Sequence, residues 1–216
     1  MALFEKRPQS SDNLPLYSIG AHRTVIVVGL GNPGKKYEAT RHNAGFSALE
    51  HFASKNEFPQ WVTKKDLKCA ITIATLGESR VVLCKPQTFM NLSGQAVSAL
   101  QNFYKVYNAQ TLAVYDELAI PFGQLRTRVG GSAAGHNGVK SLIEHLGEDF
   151  GRLRIGIGQK ETDKEPTVVQ ANTSKYVLGK FTKAEQALLP KIYQEANALI
   201  TEFIFGDQLM HDTRTV

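Results

Sequence analysis

His42 lies in the string Tyr37-Glu38-Ala39-Thr40-Arg41-His42-Asn43-Ala44-Gly45, between an apolar run and a helix-like segment. It is one of six histidines, and a lone histidine is more often a surface or hydrogen-bonded structural residue than a catalyst. Its surroundings argue for chemistry: a loop at the carboxyl end of a strand, a helix start beside it, and an acid elsewhere. That acid is Asp116, which directly follows the apolar strand Leu112–Tyr115. An isolated aspartate there usually caps or closes a loop. A carboxylate that orients an imidazole is also the recurring partner of a histidine base. Other nucleophiles fare worse. There is no G-x-S-x-G elbow, Ser132 has no base beside it in sequence, and Cys69 and Cys84 sit mid-strand. No cluster has metal-ligand spacing such as H-E-x-x-H. What is left is a His–Asp pair with water as nucleophile, which suits hydrolysis of an ester.

Gly29-Leu30-Gly31-Asn32-Pro33-Gly34 fits G-x-G-x-x-G after a strand. The dinucleotide fingerprint also needs an immediate helix and a second strand ending in an acid ~20 residues on. Here a helix-like segment containing Glu50 takes that place, so a nicotinamide cofactor is rejected. The glycines instead allow a sharp loop that exposes Asn32 at a strand end, where open α/β sheets place their sites. Lys85–Gly94 joins a strand to a helix. Phe89, Met90 and Asn91 either pack and cap there or line a cleft. Gly130–Gly138 leads into another helix, lacks the P-loop ending, and offers amides suited to an anion, with Asn137 near the cap. Arg126 with Arg128, and Arg152 with Arg154, bracket this loop and could clamp a phosphate.

The elements that must hold these residues follow from periodicity. Thr24–Gly29, Thr111–Tyr115 and Leu153–Ile157 read as buried strands. Leu67–Leu76 and Arg80–Cys84 flank Gly77-Glu78-Ser79 as a hairpin, across which Cys69 and Cys84 could face each other as free thiols. Gly123–Val129 alternates into a strand with one basic face. Helices are predicted over Phe46–Phe52, Asn91–Tyr107 and Val139–Leu146, the last stopped by Gly147. Asp163–Ser174 reads as a polar loop. Thr182 and Glu185 form a capping box ahead of a striped segment to Phe205, which Pro190 should kink or divide. The pattern predicts one α/β domain over residues 24–216, a mixed twisted sheet with helices on both faces, behind a flexible extension of residues 1–23.

Composition bounds the rest. At 216 residues, 42% apolar and 21% charged, the chain is ordinary globular material. No stretch approaches the ~18 uncharged apolar residues of a membrane helix, and the N-terminal residues lack a secretory apolar region. Twenty-five basic against 20 acidic residues give +5. That suits a polyanionic partner, and equally suits a basic protein that touches no nucleic acid.

Taken together, VVGLGNPGKKYEATRHNAG, KPQTFMNLSG, YDELAIPFG, GGSAAGHNG and RLRIGIG, in that order from Val27 to Gly158, resemble bacterial peptidyl-tRNA hydrolase. The resemblance implies hydrolysis of the ester between a peptide and the 3′ ribose of tRNA, by a cytoplasmic monomer without metal or organic cofactor. It implies His42 as base, Asp116 as the residue that holds it, and Asn32 as the asparagine that tells peptidyl- from aminoacyl-tRNA. Tyr37, Phe89, Met90, Asn91 and Asn137 match positions on the peptide and the tRNA 3′ end. Arg128 and Arg154 match positions that grip tRNA phosphate. The chain departs from the pattern at Ala134, where a third glycine is common, and at DELAIP, where DDLDLP is commoner. A splicing-factor-like RNA binder of the same fold is the alternative, and the intact His42, Asp116 and Asn32 set speaks against it.

Overall fold

A computed structural model describes residues 23–158, 173–206 and 208–216. The predicted extension, apart from Arg23, and the predicted polar loop, apart from Thr173 and Ser174, lie outside these residues. The strands are β1 (Arg23–Gly29), β2 (Val62–Lys64), β3 (Cys69–Leu76), β4 (Ser79–Pro86), β5 (Thr111–Pro121), β6 (Gln124–Val129), β7 (Gly151–Gly158) and β8 (Thr213–Thr215). The helices are α1 (Ala44–Lys55), α2 (Ser93–Tyr104), α3 (Asn137–Leu146), α4 (Thr173–Val177) and α5 (Lys183–Phe205).

One sheet takes the order β2-β3-β4-β1-β5-β7-β6-β8. β4, β1, β5 and β7 are parallel, and the remaining neighbours are antiparallel. The period-2 alternation of a strand splits the core. Val25 and Val27 pack with α1 and α5 (Leu49, Phe52, Ile192, Ile200). Ile26 and Val28 pack with α2 and α3 (Val97, Leu100, Val139, Leu142). This is the mixed sheet with helices on both faces that the sequence predicts. Full burial of each such side chain contributes about 1.5–3 kcal/mol.

Several elements differ from expectation, and the edge strands β2 and β8 are not predicted at all. β5 does not stop at Tyr115 but runs on to Pro121, with a register shift against β7 after Glu117. Gly156 and Gly158 permit this, because a Cβ at either would strike the β5 backbone at Pro121 or Leu118. α2 stops at Tyr104, three residues early, because Lys105 turns left-handed at φ 54°. α5 is one continuous helix through Pro190, which therefore does not divide it. Ser174, predicted as loop, belongs to α4.

The hairpin forms as predicted, with Ile71 opposite Cys84 and Cys69 opposite Pro86. The two thiols are thus diagonal neighbours on one face, both buried and free. Their mutual hydrogen bond lowers the pKa of Cys69 and raises that of Cys84.

The parallel strands point their carboxyl ends the same way. β1 ends at Gly29, where Leu30 N–H donates to Val114 O at 2.9 Å. Gly45 opens α1 pressed against this corner, and a side chain there would collide with Val114 O and Leu30 N. That close approach sets the His42 turn over the sheet rim.

Candidate active site

Arg41–Asn43 form a single 3-10 turn between β1 and α1. The Asn43 amide closes the loop: its Oδ1 accepts from Asn32 N–H and its Nδ2 donates to Asn32 O, both at 2.9 Å. Asn32 Oδ1 in turn accepts from Met90 N–H at 2.9 Å. With the oxygen so committed, Asn32 has its Nδ2 amide to offer a ligand.

Asp116 lies inside β5 rather than at its end, yet two residues beyond the last β1 pairing, so it still reaches the rim. His42 Nδ1 is 3.0 and 3.1 Å from the two Asp116 oxygens. A second imidazole shares the carboxylate, since His136 Nε2 is 3.1 Å from Asp116 Oδ1. His136 Nδ1 accepts from Gly138 N–H at 3.1 Å and Val139 N–H at 3.2 Å. That nitrogen is therefore an acceptor, and the His136 proton sits on Nε2, donating to Asp116. Burial would raise the Asp116 pKa. The electrostatic attraction of the His136 ring and hydrogen bonds from His136 and His42 outweigh it and hold the carboxyl well below the usual carboxylate range. An ionised carboxylate only accepts. His42 must then carry its proton on Nδ1, which leaves the Nε2 lone pair for the cleft.

These groups line a cleft of about 810 Å³. Asn32, His42, Asn91, His136 and Asn137 supply its polar groups, and Phe89, Met90, Leu118, Val177 and Leu178 its apolar ones. Phe89 and Leu178 are exposed despite their size, 57% and 41% respectively, and give the cleft apolar walls. His42, Asp116 and His136 are also close enough to share a metal ion, their ligand atoms lying within 4.8 Å of one another. Two imidazole N–H groups on one carboxylate already account for the arrangement.

His136 is the residue that sequence reasoning missed. The sequence predicts that the glycine loop presents free amides at the start of α3, with Asn137 near the cap. His136 itself is the N-cap, and its ring accepts the Gly138 and Val139 amides, so those two are not available to an anion. Asn137 becomes the first helical residue, with its side chain at the cleft. Ala134 takes φ 45°, a left-handed conformation that glycine adopts without penalty.

Tyr37 is half-buried in a turn at Lys35–Tyr37 and is not among the residues lining the cleft. The arginines divide. Arg126 faces Arg154, and Arg128 faces Arg152, across β6 and β7. Arg152 is 1% exposed and donates to Ser132 O at 2.7 Å, so it holds the glycine loop rather than clamping a ligand. Arg126, Arg128 and Arg154 line a second cavity of about 400 Å³ with His211, Asp212 and Thr213. The Arg128 guanidinium lies against Gly131, where any side chain would displace it. Burial lowers the Arg154 pKa, partly opposed by Tyr115 and Glu117.

A family model, "Peptidyl-tRNA hydrolase", matches residues 26–215. The chain belongs to the peptidyl-tRNA hydrolase family. It is 43% identical over 180 residues to a peptidyl-tRNA hydrolase of Shouchella clausii, covering 83% of this chain and 92% of that one. It is 45% identical over 165 residues to a peptidyl-tRNA hydrolase of Rhizobium etli, covering 76% of this chain but only 65% of the relative's length. The crystal structure of peptidyl-tRNA hydrolase from Acinetobacter baumannii superposes with a TM-score of 0.75 at 33% identity, covering 85% of this chain and 89% of that one. The family's substrate is peptidyl-tRNA, a carboxylic ester, and hydrolysis of that ester is this chain's activity. Among the described residues no helix is long and apolar enough to cross a membrane.

Proposed function

We propose that the cleft cleaves the ester between a peptide and the 3′ ribose of tRNA, with His42 as general base on water. The observation that carries this reading is the single buried carboxylate accepting from both imidazoles, which places the His42 lone pair at the cleft. Nε2 takes a proton from water as the oxygen attacks the ester carbonyl. The carbonyl oxygen gains charge, and the side-chain amides of Asn32, Asn91 and Asn137 are the donors at hand. Collapse of the tetrahedral centre expels the ribose oxygen, which takes the proton from His42 Nε2 and returns the base to its neutral form. Asp116 stays ionised throughout and stabilises the imidazolium. Because its carboxyl ionises far below the assay range, loss of the Asp116 charge does not set the acid limb of a rate–pH profile. The decisive comparison is release of N-acetyl-amino acid from N-acetyl-aminoacyl-tRNA against release of amino acid from the unblocked aminoacyl-tRNA. Fast cleavage of the first and slow cleavage of the second is expected. Cleavage of neither would leave a non-catalytic RNA binder.

The tRNA 3′ end enters the cleft, and the phosphates of the acceptor stem meet Arg128 and Arg154 in the second cavity. The chain works as a monomer in the cytoplasm. Reversing Arg128 and Arg154 to Glu should weaken tRNA binding at low salt and flatten the plot of log affinity against log salt. Each phosphate contact contributes a slope of about −0.9 on a duplex. Filter binding between 50 and 200 mM salt reads this directly, and an unchanged slope would remove both residues from the interface.

A further inference from the structure

Arg41 stands one residue before the base, yet its side chain does not enter the cleft. It is 6% exposed and reaches the far end of the chain. Nη1 donates to Lys180 O at 2.8 Å, and Nη2 pairs with Glu185 Oε2 at 2.7 Å. The guanidinium lies over the rings of Tyr176, at 4.4 Å, and Phe181, at 5.4 Å. The backbone joins in, with Arg41 N–H donating to Gly179 O at 3.0 Å and Thr40 bridging to Lys180. Glu185 Oε2 also accepts from Thr182 N–H in the capping box of α5. One charged fork thus gathers a carbonyl, a carboxylate that caps a helix, and two aromatic faces, all between residues 176 and 185.

The segment so held carries Val177 and Leu178, which form an apolar wall of the cleft together with Phe89 and Leu118. α4 has only five residues, too few to be stable without tertiary support. The Tyr176 hydroxyl also ties it to the sheet, donating to Ile157 O at 2.6 Å. The tRNA side of the ester brings hydroxyls and phosphate, whereas the side chains of the peptide bring variable apolar surface. The Val177–Leu178 wall suits the peptide.

We propose that Arg41 is a positioning residue that ties this wall to the catalytic turn and so tunes recognition of the peptide beyond its ester-linked residue. The inference rests on the cleft being the peptidyl-tRNA site. It adds that the wall and the base are one mechanical unit: the 3-10 turn that presents His42 also sets the distance to Val177 and Leu178.

The test compares two substrates that share an ester-linked glycine, N-acetyl-glycyl-tRNA and N-acetyl-leucyl-leucyl-glycyl-tRNA. Arg41→Met keeps the bulk of the side chain and removes its donors. It should raise KM for the longer substrate about tenfold and for the shorter one at most about twofold, with kcat unchanged on both. Arg41→Lys keeps the charge toward Glu185 but not the fork, and should fall between Arg41→Met and wild type. Leu178→Ala alters the wall without touching the tie, and should show the same split. An equal rise in KM for both substrates, or a fall in kcat with KM unmoved, would overturn the proposal. So would an Arg41→Lys protein no better than Arg41→Met. Should Arg41→Met fail to fold, Glu185→Gln and Leu178→Ala carry the test under the same criterion. Failure of the wild type to cleave either substrate would instead count against the proposed function, which keeps the two outcomes apart.

Discussion

Purified His42→Ala protein should bind tRNA with wild-type affinity and hydrolyse N-acetyl-aminoacyl-tRNA about 10²–10⁴-fold more slowly. Two features make the loss large and confined to the chemical step. The imidazole bears on Asp116 through Nδ1, so its Nε2 is the basic atom at the cleft. Its backbone is fixed independently, because Asn43 and Asn32 close the loop through their own amides and the Arg41 backbone N–H donates to Gly179 O. Truncation of the ring therefore leaves the turn in place. Removing an imidazole that accepts a water proton slows turnover, and removing one that merely packs lowers melting temperature. Single-turnover kinetics and a thermal melt separate the two. Retention of the wild-type rate by His42→Ala would end the general-base reading outright.

The parts of this site that were legible in the sequence are those whose meaning is local. An apolar β-branched run followed by glycines marks β1 and the loop of Asn32, and an aspartate after an apolar strand marks Asp116. Local pattern could not say that β5 continues past Asp116, because that depends on Gly156 and Gly158 of a strand thirty-odd residues later making room for it. Arg152 and Arg154 are indistinguishable by alternation, since both point to one face of β7. Only the glycine loop folding over Arg152 turns it into a buried strut while Arg154 keeps access to a cavity. His136 was hidden for a related reason. A loop crowded with glycines offers many backbone amides, and a histidine at an N-cap is uncommon beside Ser, Thr, Asn or Asp. The one signal available was its position just before the apolar stripe of α3. Its second role, on Asp116, required the fold.

That second role yields the other large effect. Asp116→Asn preserves shape and should still reduce turnover about 10³-fold, through the tautomer of His42. A carboxylate accepts from both rings, whereas an amide accepts at one atom and donates at the other. His136 cannot adapt, because its Nδ1 is held as an acceptor by the Gly138 and Val139 amides and its Nε2 must donate. The new amide oxygen therefore goes to His136 and its N–H group meets His42 Nδ1. That N–H group, 3.1 Å from Nδ1 at the Oδ2 position, disfavours a proton there and shifts the ring toward the tautomer protonated at Nε2, which is the atom needed as base. The same logic predicts an uncommon double-mutant result. With His136→Ala added, the amide is free to turn its oxygen toward His42, and turnover should recover about tenfold over Asp116→Asn alone, even though loss of the cap costs about 1 kcal/mol of stability. A double variant no faster than the single would refute the tautomer lock. Stability carries an independent signature. The Asp116 carboxyl is held below its unfolded value of roughly 3.9, so it contributes its full stabilisation above that value and loses it as pH falls through the folded value. The stability gap between wild type and Asp116→Asn should then narrow as pH falls below about 4. A gap that did not narrow there would mean that the carboxylate is not held ionised by its two partners.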